Sequence, residues 1–195
     1  MAEILNTDEQ ERWRSFQSGD KHALEYFFNK YADDLYNYGY RFAQDQELIK
    51  DAIQDVYIRL WTTRERIAVP TSVKFYLLRS FRNALTRKLS KAAKDQHGQL
   101  DEQYLFEVEL SAEDLRINDE KQAILQQRLQ KAIAQLPPRQ REAVFLRFYE
   151  NTSYEDIALI MGTSVKATYK AVFRALGKLK EIMTVMLISL LLLKA

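Results

Sequence analysis

The stretch from Ser153 to Lys180, SYEDIALIMGTSVKATYKAVFRALGKLK, constrains this chain most tightly. Ser153 suits a helix N-cap, and Asp156 three residues later suits its partner in a capping box. Ile157, Ala158, Ile160 and Met161 then face inward over two turns. Gly162 ends that helix, because glycine reaches the left-handed backbone conformation at no steric cost. Thr163 or Ser164 caps the next one, which buries Val165, Val172, Phe173, Leu176 and Leu179 at three- and four-residue steps. Lys166, Lys170, Arg174 and Lys178 occupy its other side, with Lys180 behind, and no acidic residue falls between Val165 and Lys180. A short helix, a glycine turn and a longer basic helix make the pattern of a helix-turn-helix. In that motif the second helix enters the DNA major groove and the residues near its N-terminus reach base edges. Here those are Ser164, Lys166, Ala167, Thr168 and Lys170. Four-residue steps advance about 40° around a helix, so Arg174 and Lys178 fall toward the DNA backbone instead. An ordinary helical hairpin with a solvated lysine face fits the same spacing.

The rest of the chain supports an all-α fold. Five glycines and three prolines in 195 residues leave little room for turns, and a hydrophobic content of 47% is enough for packed cores. No cysteine is present, which removes disulfides, thiol catalysis and thiolate metal sites and suits a reducing compartment. The opening stretch MAEILNTDEQERWR is polar and predicts no secretion signal. His22 and His97 are the only histidines, with no metal-ligand spacing, no phosphate-cradling glycine loop and no nucleophile motif nearby. An enzyme, a metal site and a cofactor are therefore not expected.

The formal net charge of +2 conceals a segregation. Residues 1–94 carry +3, residues 95–120 carry −8 and residues 121–181 carry +6. Two basic blocks flanking an acidic one predict two domains that face nucleic acid, joined by a linker of opposite sign. The expected boundaries are 8–94, a linker at 95–118, a second domain at 119–182 and an apolar tail at 183–195.

In the first block, residues 8–18 form a short helix bearing Trp13 and Phe16, broken by Gly19, with Asp20 as the next cap. Leu24, Phe27, Phe28, Tyr31, Leu35, Tyr38 and Phe42 mark a core helix. In ELIKDAIQDVYIRLWT (47–62), Leu48, Ile49, Ala52, Ile53, Val56, Leu60 and Tyr57 form one apolar face. Asp51, Gln54, Asp55, Ile58 and Arg59 form the other, and Trp61 sits at the end. Ile58 is apolar on the polar face. An isoleucine ringed by Asp, Gln and Arg fits a docking patch with an apolar centre and polar rim; a scattered surface hydrophobe fits equally. After Pro70, with Thr71 or Ser72 as cap, the helix 73–93 carries Lys74, Arg79, Arg82, Arg87, Lys88 and Lys91, with Lys94 just beyond, and no acidic residue. Unopposed cations form a footprint for phosphates, and interleaved aromatics let unpaired bases stack. Phe75, Leu78 and Leu85, with Phe81 or the stem of Arg82, are its buried side.

Residues 95–118 lose the helical pattern and read as linker without regular structure. Periodicity resumes with Ile124, Leu125, Leu129, Ala132, Ile133 and Leu136, stops at Pro137-Pro138, and restarts over 139–149 with Ala143, Val144, Leu146 and either Phe145 or Phe148 buried. The tail MTVMLISLLLLKA is apolar at ten of thirteen positions. It is short of the ~20 apolar residues of a bilayer span. Packing on the protein or on a partner is expected for it, ahead of membrane contact.

In this order the features resemble the extracytoplasmic-function sigma factors of bacterial RNA polymerase. DAIQDVYIRLW is similar to that family's core-binding helix, FYLLRSFRNALTRKL to its helix for the minus-10 promoter element, and LPPRQREAVFLRFYENTSYEDIALIMGTSVKATYKAVFRALGKLK to its minus-35 domain. The resemblance covers about residues 10 to 181. It implies that Asp51, Gln54, Asp55, Ile58 and Trp61 bind core polymerase and that residues 63–72 form the loop that captures an unstacked base. It implies that Tyr76, Arg79, Arg82, Asn83, Arg87 and Lys88 act on the minus-10 element, and that Ser164, Lys166, Ala167, Thr168, Lys170, Arg174 and Lys178 act on the minus-35 element. Two departures bear on this. Tyr76 stands where many members carry tryptophan, and Ala167-Thr168 stands where a threonine-valine pair is more usual. The implied partners are core RNA polymerase, promoter DNA and an anti-sigma factor. The implied protein is cytoplasmic, has no catalytic residues and no cofactor, and can be held at the membrane by its regulator. A helix-turn-helix transcription regulator that does not bind core polymerase is the alternative; it accounts for 137–180 but not for the patch at 47–62 or the basic helix at 73–93.

Overall fold

The computed structural model describes residues 7–97, 106–108 and 120–192. Among them are eight α-helices and no strand: α1 Thr7–Gln17, α2 Lys21–Tyr40, α3 Gln46–Thr63, α4 Val73–His97, α5 Glu120–Ala134, α6 Pro138–Phe148, α7 Tyr154–Met161 and α8 Val165–Leu192. A single 3-10 turn, Arg64–Arg66, follows α3. The expected all-α class is what the chain adopts. The described residues divide into two compact units: one holds α1 to α4 together with residues 158–163, the other holds 106–108, α5, α6, the start of α7 and α8.

Short polar side chains set the helix starts. Asp20 accepts from the backbone N–H of His22 at 2.9 Å and begins α2; Asp45 accepts from that of Leu48 at 3.1 Å and begins α3. Ser72, one of two candidate caps for α4, accepts from Phe75 N–H at 3.4 Å. Between α1 and α2 the chain turns at Gly19, whose φ of +95° is left-handed. Pro138 opens α6, where its missing N–H leaves no helical bond unmade.

In the first unit α1 packs on α2, and α2, α3 and α4 pack on one another. Trp13, Phe16 and Phe27 are fully buried, with ring centroids 5.2 Å (Trp13–Phe16) and 5.6 Å (Trp13–Phe27) apart. Ile49, Ala52, Ile53, Val56, Tyr57 and Leu60 of α3 are buried as the spacing requires; on α4 the expected Leu78, Phe81 and Leu85 are buried together with Val73, Leu77 and Ala84, while Phe75, expected inside, is only half-buried. Phe28 is instead 44% exposed. In the second unit α5 and α6 pack against α8. Phe145, not Phe148, is the buried alternative of α6, and Ile124 and Leu125 are exposed.

Three expectations change. Helix α4 continues through Lys94 to His97. The acidic segment is not uniformly solvated: Phe106 is fully buried and Val108 nearly so; residues 98–105 and 109–118 of that linker lie outside the described residues. The tail is backbone-continuous with α8 as far as Leu192, and how its side chains pack lies outside the described residues. Among the described residues no helix is long and apolar enough to cross a membrane.

Gly39 sits at a close approach between helices of the first unit. A Cβ built there would lie 2.6 Å from Cζ of the buried Phe81 on α4 and 3.0 Å from Cγ2 of Ile49 on α3. Gly39→Ala is therefore expected to destabilise the first unit by about 1–3 kcal/mol through overpacking, although alanine favours helix. Chemical denaturation checks this; an unchanged or raised midpoint would show that Phe81 has room to move.

Candidate nucleic-acid interface and docking surface

Helix α3 stands between two hollows of different chemistry. On its α2 side is a groove of 890 Å³ lined by Leu24, Phe28, Ala32, Ile53, Tyr57, Ile58 and Trp61, with Lys21, Asp33, Lys50 and Gln54 at the edges. The Tyr57 hydroxyl donates to the Phe27 carbonyl at 3.0 Å, and burial pushes its pKa up, so the groove floor stays neutral. Trp61, half-buried, stacks under the Arg64 guanidinium at 4.5 Å. Ile58 is 55% exposed in this apolar lining. Of the five residues read as a docking stripe, Gln54, Ile58 and Trp61 meet in the groove, Asp55 turns to the other hollow, and Asp51 is exposed and lines neither. The sequence reading does not single out Leu24, Phe28 and Tyr36 as surface residues. Their four-residue spacing along α2 with Ala32 marks a second apolar stripe beside the core one.

On the α4 side is a polar hollow of 180 Å³ lined by Asp55, Val56, Arg59, Leu60, Tyr76, Ser80, Asn83, Ala84 and Arg87. Tyr76, Asn83 and Arg87 thus come together as the pattern of α4 suggests, and Arg59 joins them. The ring of Tyr76 is half-buried edge-on to Trp13, 5.7 Å between centroids. Arg79 is exposed outside this hollow. The cations of α4 are not unopposed. Lys88 pairs with Asp55 at 2.8 Å and Lys74 with Asp34 at 3.0 Å, both acids coming from neighbouring helices. Arg82 is buried, a correction to its reading as a DNA contact: it lies four residues after Leu78 and three before Leu85, on the inward face.

At the start of α7, Ser153 Oγ accepts from the backbone N–H of Asp156 at 3.1 Å and its hydroxyl donates to the Asp156 carboxylate at 2.5 Å. This is a variant of the expected capping box, in which the acid would reach back to the cap's own N–H. Gly162 has φ +61°, as the turn demands. Ser164, not Thr163, caps α8, accepting from Ala167 N–H at 3.2 Å. Rings of Tyr154 and Tyr169 stack at 3.8 Å and fix the start of α7 to α8. Lys166, Ala167, Lys170 and Arg174 are exposed. Lys178 is exposed too, but its ammonium donates to the Gln135 carbonyl at 2.9 Å. Thr168 is 1% exposed and its hydroxyl donates to Ser164 O at 3.2 Å, so it supports the helix and does not reach a base. The inward face of α8 is Thr168, Val172, Ala175 and Leu179. Val165, Phe173 and Leu176, expected inside, are instead 36%, 79% and 43% exposed and form an outward stripe with Tyr169. Three- and four-residue spacing selects the wrong one of two apolar stripes here. Among the described residues no group of three or more His, Cys, Asp or Glu is placed to hold a metal ion.

Residues 27–95 match the family Sigma-70 region 2, and residues 126–179 match Sigma-70 region 4. The chain is 28% identical over 185 residues to the RNA polymerase sigma-H factor of Pseudomonas aeruginosa, covering 88% of this chain and 92% of that one. It is 25% identical over 168 residues to the RNA polymerase sigma factor CarQ of Myxococcus xanthus, covering 86% and 93%. Among solved structures, CnrH in complex with the cytosolic domain of CnrY shares the fold at a TM-score of 0.59 and 18% identity, over 91% of this chain and 97% of that one. The sigma factor RpoE of Bartonella quintana, in complex with the anti-sigma factor NepR, does so at 0.54 and 23%, over 81% and 94%. The chain belongs to the sigma-70 family, in its extracytoplasmic-function group, and it is a factor for transcription initiation. That family consists of non-catalytic initiation factors.

The placement of Thr168 is testable by a shape-conserving change. Thr168→Val removes only the hydroxyl that bonds within the helix. Stability should change by about 1 kcal/mol or less, and the preference for DNA sequence, read by selection from a randomised minus-35 pool, should not change. A shifted preference would return Thr168 to the contact surface.

Proposed function

We propose that the two faces of the first unit divide the work of initiation. The α2/α3 groove, with Gln54, Ile58 and Trp61 in it and Asp51 and Asp55 beside it, takes core RNA polymerase. Helix α4, through Tyr76, Arg79, Asn83, Arg87 and Lys88, takes the opened minus-10 strand, with residues 63–72 receiving the extruded base. Extrusion costs a few kcal/mol, which stacking on Tyr76 and phosphate contacts to the arginines offset. In the second unit Ser164, Lys166, Ala167, Lys170, Arg174 and Lys178 grip the minus-35 element as duplex. Region 95–118, at −6, follows the positively charged RNA path of the polymerase.

The observation that carries this reading is Ile58, a half-exposed isoleucine set into an 890 Å³ apolar groove with charged edges. Buried apolar centres with polar rims are how protein partners dock. Regulation by an anti-sigma factor that covers one or both units follows from CnrH and RpoE having been solved in complexes, the second with a named anti-sigma factor. The protein acts in the cytoplasm, with its regulator able to hold it at the membrane, and it performs no catalysis of its own.

Ile58→Glu puts a charge into the apolar groove from an exposed position. Binding to core polymerase should weaken about tenfold or more while the thermal melt stays in place; a collapsed melt would show that Ile58 supports the fold. Lys170→Glu should leave core binding intact, weaken minus-35 duplex binding about tenfold, and lower the slope of log affinity against log salt by about 1 to 2. An unchanged salt slope would remove Lys170 from the phosphate contacts.

A further inference from the structure

We infer that Phe173 is a specificity-determining residue of the second unit, recognising thymine in the minus-35 duplex by its 5-methyl group. The inference rests on the reading of that unit as a minus-35 grip.

The basic helix offers few groups that can tell bases apart. From Ser164 to Lys180 there is no Asn, Gln, Asp, Glu or His. The amide readers of adenine and the carboxylate readers of cytosine are therefore missing. The Ser164 hydroxyl caps α8 and Thr168 is buried. Lys166, Lys170 and Arg174 suit guanine or phosphate. An apolar side chain recognises one feature of the major groove, the thymine methyl.

Phe173 is the apolar side chain placed for this. At 79% exposure it is the barest large hydrophobic residue among those described. With 3.6 residues per turn it falls about 20° around the helix from Lys166 and about 60° from Lys170. It lies about 12 Å along the axis from Val165, no more than the width of the major groove. Helical side chains lean toward the N-terminus, so the ring is carried toward the end of α8 that enters the groove. One turn earlier Tyr169 is anchored: its ring stacks on Tyr154 at 3.8 Å, and the Arg147 guanidinium lies over the Tyr154 ring at 5.0 Å. Residues four apart are neighbours on a helix, so this fixed column borders Phe173 on the α7 side.

The surroundings select the occupant. No acidic residue falls between Val165 and Lys180, so whatever covers this face must bring negative charge around an apolar centre. A thymine-bearing duplex does so, with phosphates along both edges of the groove and the methyl on its floor. Single exposed hydrophobes are common, but this one stands among the cations proposed to hold the DNA.

The test offers the full chain, bound to core polymerase, a promoter pool randomised over the minus-35 element. The duplex recovered is then remade with uracil in place of each thymine in turn, which removes only a methyl. At one or two thymines of the element uracil should weaken binding about fourfold, the loss of one buried methyl; at flanking thymines it should have no effect. Phe173→Ala should weaken the thymine duplex about fourfold or more and abolish the uracil effect, with thermal melt, core binding and salt slope unchanged. Phe173→Leu keeps an apolar group and should keep the uracil effect. The uracil series on the natural chain needs no variant, so it decides even where Phe173→Ala fails to fold. Indifference to uracil at every thymine, a recovered element without thymine, or a Phe173→Ala variant still sensitive to uracil overturns the methyl readout alone. So does full DNA affinity of Phe173→Ala, which would assign the face to a protein partner. A natural chain that selects no minus-35 sequence overturns the reading of the second unit and the methyl readout together.

Discussion

The close approach of α2 to α3 and α4 at Gly39 is the constraint on which the first unit depends. With no Cβ at that position, the Phe81 ring and the Ile49 side chain occupy the space beside α2, and α3 is clasped between two helices. A helix clasped on two sides has a narrow outward stripe. On α3 that stripe is Asp51, Gln54, Asp55, Ile58 and Trp61, and it divides an apolar groove from a polar hollow. In the proposed division of work, two partners of unlike chemistry then meet one helix without competing for the same side chains. Asp55 is the exception, since it leaves the stripe to hold Lys88. The carboxylate is half exposed, so the pair adds little to stability. Its effect is positional: it keeps an ammonium beside the hollow at small cost, where a phosphate can exchange for the carboxylate.

Much of this is legible in the sequence because it depends on local rules. Caps at Asp20, Ser153 and Ser164, the turns at Gly19 and Gly162, and the inward faces of α3 and α4 follow from short-range sterics and hydrogen bonding. The stripe on α3, with Ile58 outermost, is readable from its heptad-like spacing. What is not legible depends on which of two possible faces a neighbour covers. Helix α8 has an apolar stripe at Val165, Tyr169, Phe173 and Leu176 and a smaller one at Thr168, Val172, Ala175 and Leu179. Hydrophobicity alone selects the first, yet the small side chains of the second allow α5 and α6 to pack against α8. Phe28 and Arg82 mislead for the same reason: composition marks a residue as apolar or charged, and only the neighbouring helix decides whether it is covered.

The acidic segment defeats the sequence for a different reason. Its average charge is that of a solvated spacer, and averages over 24 residues hide a two-residue anchor. The alternation of Phe106, Glu107 and Val108 is too short to register as a strand, and nothing in its own composition points to Phe145 or Gln130 as the seat. Burial of such an anchor is a long-range fact about α5 and α6.

Counting cations overstates the field that the free protein presents. Of the basic residues proposed for promoter contact, Arg82 is buried, Lys88 is held by Asp55 and Lys178 by the Gln135 carbonyl; Lys74 is held by Asp34. The contacts of Lys74, Lys88 and Lys178 are part-exposed and individually weak, so they lower nonspecific attraction without preventing specific binding. A duplex or single strand that displaces them must offer phosphates at matching positions, whereas random DNA offers only average charge. The internal pairing thus shifts the balance from charge toward geometry. The net charge of +2 works in the same direction, since the long-range attraction that drives nonspecific binding scales with the field of the whole molecule. In the proposed division of work, discrimination then rests on the fit of Tyr76, Asn83 and Arg87 around one hollow and of Lys166, Ala167 and Lys170 along one turn of α8.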